Sequence, residues 1–141
     1  MSLHPGSNLG SCNIGCLEPN AFNFTGAGAV TAVDIQANTF AALPEALLSS
    51  MPGLLSFNAP ANAKLATLPE QFFSRQSQLQ SMAFAGSTNF GSTERLPDGL
   101  WRGLTSLTSI ILFECRYQNL PDMSDLTVRL APRPPFLPLI L

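Results

Sequence analysis

Val30-x-x-Val33-x-Ile35-x-x-Asn38-x-Phe40-x-x-Leu43-Pro44 is the stretch whose reading decides the fold of this chain. Counting from Val30, apolar residues hold places 1, 4 and 6, and Asn38 falls at place 9. Places 4 to 6 alternate inward, outward, inward, which is the period of a strand. At place 9 the chain must turn. An asparagine there offers donors and an acceptor to backbone groups that the strand leaves unpaired.

The same order returns along the chain. A second copy starts at Leu54 and runs through Phe57, Ala59, Asn62, Leu65, Leu68-Pro69 and Phe72-Phe73. The third starts at Leu79, with Met82, Phe84, Phe90, Leu96-Pro97, Leu100-Trp101 and Leu104; the fourth starts at Leu107, with Ile110, Leu112, Cys115, Tyr117 and Leu120-Pro121. A worn copy precedes them, in which Leu9, Cys12, Ile14, Leu17 and Ala21-Phe22 fit the pattern. The four Leu-Pro pairs, beginning at 43, 68, 96 and 120, are spaced 25, 28 and 24 residues apart. A period of roughly 20 to 50 residues marks a solenoid. Stacked units form one long surface, which more often binds a macromolecule than performs chemistry.

These copies resemble the leucine-rich repeat family, whose pattern is L-x-x-L-x-L-x-x-N/C-x-L. The resemblance covers 9–126. It implies an α/β solenoid: an arc with a parallel concave sheet and short helical or irregular convex turns. The organisation expected is a flexible start at 1–8, about five repeats at 9–126 with the first degenerate, and a proline-rich apolar tail at 127–141. The resemblance also implies an internal ladder of Cys12, Asn38, Asn62 and Cys115. A thiol is a weaker donor than a carboxamide but is small and readily buried. The third copy departs from the pattern, with Ser87 at the ladder place and 91–95 lengthening its outer side.

After Leu43, Leu68 and Leu96 comes a proline and then an acid, Glu45, Glu70 or Asp98. Proline suits the first position of a helix, and a carboxylate in the first turn complements the helix dipole. Short helical turns are expected at about 44–51, 69–76 and 97–104. Leu47, Met51, Phe72, Phe73, Leu100, Trp101 and Leu104 would pin them to the core.

At 141 residues the chain is sized for one domain. It is 45% hydrophobic and 11% charged, with seven basic and nine acidic residues for a net charge of −2. The basic residues are scattered and form no stripe, so nucleic acid is not the expected partner. The start lacks the basic and apolar runs of a signal peptide. No stretch reaches the ~20 apolar residues of a membrane span, and four prolines break the apolar tail after Leu130.

Chemistry-bearing clusters are sparse. Three cysteines do not make a disulfide framework. Cys12 and Cys16 could crosslink if the protein is exported, or stay free. A zinc site would need His4, Cys12, Cys16 and Cys115 together, although the pattern sets Cys115 at the far end of the stack. His4, the one histidine, has no nucleophile pattern around it, and no G-x-S-x-G setting occurs. Glu94 and Asp98 read as a solvated helix start on the outer side, Gly26-x-Gly28 as a link into a strand. Asn23-Phe24-Thr25 is a glycosylation sequon. Neither catalysis nor a cofactor is expected.

Places 2, 3, 5, 7 and 8 of each copy should face the concave side, a surface of small, nearly uncharged residues. Asp34, Leu55, Asn58, Ile111, Phe113 and Glu114 are its candidate contacts, with Ile111 and Phe113 an apolar patch. The tail could instead cover that patch. The function expected is a non-catalytic module that recognises a protein or peptide through the concave face. The alternative is a recognition fragment of a larger receptor or surface protein, such as a receptor-like kinase ectodomain. An end unit without a polar cap leaves apolar surface open, so self-association through the C-terminal end is also expected.

Overall fold

A computed structural model of the chain describes residues 6–91, 96–112 and 115. Phe113, Glu114, the later part of the fourth copy and the tail at 127–141 lie outside the described residues, as do 1–5 and 92–95.

Five short strands, β1 (Gly6–Asn8), β2 (Ala32–Asp34), β3 (Ser56–Asn58), β4 (Ser81–Ala83) and β5 (Ser109–Ile111), form one parallel sheet in chain order. Each strand is followed by turns that carry the chain back to start the next strand one place along. Register is constant, so Val33, Phe57, Met82 and Ile110 are neighbours in sequence order across β2 to β5. All four point inward at 1% exposure or less, while the residues on either side of each are half-buried. This alternation is what fixes register, since a slip of one residue would turn every inward side chain outward. Residues 6–8, expected in the flexible start, instead form β1 and pair with β2. With Leu9 at place 6, places 1 and 4 fall on His4 and Ser7, where the other copies are apolar, so this strand leaves no apolar pattern in the sequence.

The inner layer continues through Ile35, Ala59, Phe84 and Leu112. Phe57 packs edge-on against Phe72 and Phe73, both at 5.6 Å between centroids, and tilted against Phe84 at 6.0 Å. Phe84 stacks on Phe90 at 4.4 Å, and Phe73 stacks on Trp101 at 6.3 Å. These aromatics tie the second and third copies into one core.

The proline segments are chains of tight turns, not helices. Leu47, Phe72 and Leu100 each donate N–H to the proline three residues back, Pro44, Pro69 and Pro97, all at 3.1 Å. The same three-residue bond recurs from Met51 to Leu48, from Gln76 to Phe73 and from Leu104 to Trp101. The apolar spacing is the reason. Leu48, Met51 and Leu54, like Trp101, Leu104 and Leu107, recur every third residue and are all buried, which suits a three-residue turn and not a 3.6-residue helix. A segment this short also gains little from nucleating an α-helix. Among the described residues the one helical element is the 3-10 turn Ala27–Ala29.

Just past the strands, a column of side chains bonds one copy to the next. Asn38 Oδ1 accepts from Ile14 N–H at 2.9 Å, and its Nδ2 donates to the carbonyls of Leu9, Ile35 and Gln36 at 2.8, 3.0 and 3.1 Å. Asn62 repeats the pattern, accepting from Asn38 N–H at 3.2 Å and donating to Ile35, Ala59 and Pro60. Ser87 Oγ accepts from Asn62 N–H and donates to Ala59 O, both at 3.2 Å. The departure in the third copy therefore keeps the column, with a shorter side chain and fewer bonds. Cys115 Sγ donates to Phe84 O at 3.0 Å. Burial pushes its pKa up to about 11, with a smaller opposite pull from the Ser87 backbone.

Cys12 departs from the expected internal place. Its thiol is exposed and donates at 3.4 Å to Gly10 O in its own turn. The bonds to this first turn come instead from Asn38, which reaches Leu9 O and Ile14 N–H.

Asn38, Asn62 and Ser87 each follow a left-handed residue, an arrangement that the apolar pattern does not reveal. Ala37, Ala61 and Gly86 have φ of 51°, 57° and 70°, and Ser11 before Cys12 has 57°. Of these, only Gly86 is a residue type that favours this conformation.

Candidate binding face

The outward residues of the strands make two rows on the face opposite the core. Ala32, Ser56, Ser81 and Ser109 form one; Asn8, Asp34, Asn58, Ala83 and Ile111 form the other. Adjacent strands of a sheet lie about 4.8 Å apart, and short side chains in both rows leave the backbone close to the surface. Ser81 Oγ bonds Ser56 Oγ at 3.2 Å. At the edge of the face Thr108 Oγ1 donates to Gln80 O at 3.0 Å.

Among the predicted contacts, Asp34, Asn58 and Ile111 share the second row and are half-buried. Leu55 is half-buried one residue before β3, its N–H donating to Thr31 O at 2.8 Å. Its carbonyl in turn accepts from Gln80 N–H at 2.8 Å, so Leu55 continues the ladder one place ahead of the two rows. Phe113 and Glu114 fall among the residues not described, so the apolar patch is represented by Ile111 alone.

Asp34 is held in place. Its Oδ1 accepts from Gln36 N–H at 3.0 Å and its Oδ2 from Gln36 Nε2 at 3.3 Å. Asn8 makes the matching bond one strand earlier, with Oδ1 accepting from Gly10 N–H at 2.7 Å. In both, a side-chain oxygen fixes the turn two residues on. Asp34 is the one charged residue in the two rows.

Elsewhere little converges. A groove of about 220 Å³ opens on the turn side, lined by residues that include Glu45, Ser49, Ser74 and Arg75. Among the described residues no three His, Cys, Asp or Glu side chains gather closely enough to hold a metal ion. No described helix is long and apolar enough to cross a membrane. Cys16 is exposed like Cys12, and both are free thiols.

No protein-family model matches the chain, and no curated protein sequence matches it. Among solved structures, a chain of the Toll–Spatzle complex in its glycosylated form, described as a molecular hub in Drosophila development and innate immunity, is 25% identical with a TM-score of 0.52. The alignment covers 82% of this chain and 18% of that one. A second structure of the complex matches at 18% identity over 86% of this chain and 23% of that one, with a TM-score of 0.35, too loose an overlap to weigh. The chain is thus similar in fold to 18% of a chain from the Toll–Spatzle complex.

Proposed function

We propose that this chain is a leucine-rich-repeat module that binds a protein through the outer, concave face of its parallel sheet, without catalysis. The observation that carries the reading is the in-register pair of rows from Ala32 to Ser109 and from Asn8 to Ile111. Stacked units give a broad face of short side chains over a packed core, suited to a macromolecular surface and not to a small substrate. The likeness to a chain of the Toll–Spatzle complex supports a protein as the partner. Fold alone does not choose function, so the choice of this face rests on its residues. A second reading, that the module is the recognition part of a larger receptor or surface protein, is favoured by the alignment spanning 18% of that neighbour.

The test is a capture experiment with three baits: the unmodified chain, Ser81→Arg on the outer face, and Ser74→Arg on the turn side. The reading expects at least one protein held by the first and third baits and lost by the second. The same proteins on all three would refute it.

A further inference from the structure

The three polar residues Asn8, Asp34 and Asn58 occupy the same place on adjacent strands, yet only two of them are spent on the fold. Asn8 and Asp34 each accept the N–H two residues ahead, from Gly10 and Gln36. In the third strand that position is Pro60, which has no N–H to give. Among the described residues the Asn58 carboxamide therefore has no hydrogen-bond partner. It keeps two donors and an acceptor available.

Its neighbour in register is Asp34. The carboxylate is aimed by two donors from Gln36, and each oxygen retains a further lone pair. No lysine or arginine among the described residues pairs with it. Beside the two, Ala32, Ser56, Ser81 and Ala83 are shorter, while Asn8 and Gln36 flank Asp34 on its other side. A partner backbone can thus approach closely and meets an oriented negative charge beside an unspent amide. The charge on this face is complementary to a cationic side chain and to nothing acidic.

We propose that Asp34 and Asn58 form the polar anchor of the outer face, and that they receive a basic, extended segment of a protein partner. The carboxylate takes an arginine or lysine, and the carboxamide pairs with the partner's main chain. This rests on the reading of the outer face as the binding face.

The probe is a phage-displayed library of linear random peptides, selected on the full chain. Enriched peptides should carry arginine or lysine and lack acids. Their affinity should fall about tenfold with Asp34→Asn, as expected for losing a charge-assisted bond, and severalfold with Asn58→Ala. The first variant retains an acceptor oxygen for the turn, as Asn8 does, so it removes charge without removing the local bond. Thermal melting of both variants checks that the fold persists. Arg75→Ala, on the turn side, should leave affinity unchanged. Peptides that bind both variants as tightly as the unmodified chain would overturn the anchor. If Ser81→Arg still abolished that binding, the outer-face reading would stand without it; if only Arg75→Ala did, both would fall. An enrichment of acidic peptides, or of none, would overturn the basic partner.

Discussion

Asn58 and Asn62 are the same residue four positions apart, and the structure uses them in opposite ways. Asn62 is fully buried and ties its own turn to the preceding copy, through Asn38 N–H and the carbonyl of Ile35, while also holding the carbonyls of Ala59 and Pro60. Asn58 lies half-buried on the outer face with its amide unspent among the described residues. The inward layer changes in size between copies, from Val33 to Phe57 and from Ala59 to Phe84, but is apolar at each of these strand places. The outward rows through Asn58 hold alanine, serine, asparagine, aspartate and isoleucine at equivalent places. Stability is therefore concentrated on one side of the sheet, where the packing and the buried side-chain bonds lie.

The strongest attack on the inward side is Phe57→Ala. Phe57 is fully buried and touches three other rings, so the loss should be about 3–5 kcal/mol, read by chemical denaturation. A loss like that of a surface substitution would break the comparison at its base.

Next in size is Asn38→Ala, which strips the Ile14 N–H and the Leu9 carbonyl of this partner, while the carbonyls of Ile35 and Gln36 each keep a second donor, Asn62 Nδ2 and Ser11 N–H. A cost of about 1–3 kcal/mol is expected for leaving buried groups unsatisfied. Ser87→Ala, with one bond accepted and one donated, should cost less than Asn38→Ala. The reverse order in a melting series would mean that bond number does not set each rung's worth.

A smaller effect has the opposite sign. Ala61 holds φ of 57°, a conformation that costs an L-residue roughly 1–2 kcal/mol. Glycine removes that strain but loses roughly 0.5–1 kcal/mol in chain entropy. Ala61→Gly should thus be neutral to slightly stabilising, whereas Ala63→Gly, exposed and without positive φ, should destabilise. Equal losses at both would remove the strain from the account.

The least effect concerns pH. The Cys115 thiol has its pKa raised to about 11 in the folded chain against 9.0 for the ordinary group. The unfolded chain therefore loses this proton first as pH rises. The thiol's contribution is intact below pH 9.0, declines above it and is gone past about 11. Cys115→Ala should flatten that alkaline decline. In alkylation near neutral pH, exposed Cys12 and Cys16 should react well before Cys115. Equal rates would place Cys115 outside the column.

The strands are legible in the sequence because Val33, Phe57, Met82 and Ile110 must face inward, and period-two alternation around them marks each strand. Asn38 and Asn62 are legible for a related reason: a polar residue kept in step with an apolar repeat needs buried partners. The proline segments look helical in sequence because Pro-Glu is a helix-start signal, while the three-residue apolar spacing that decides for turns lies further along. Cys12 fits the ladder by register, but register says nothing of exposure. The idle amide of Asn58 depends on both register and Pro60, so only the assembled sheet shows it.

The most direct test of this division between faces is to compare Asn62→Ala with Asn58→Ala in one denaturation series. The account predicts a loss of about 1–3 kcal/mol for Asn62→Ala and a change within about 0.5 kcal/mol for Asn58→Ala. Equal losses, or a larger one at Asn58, would contradict it.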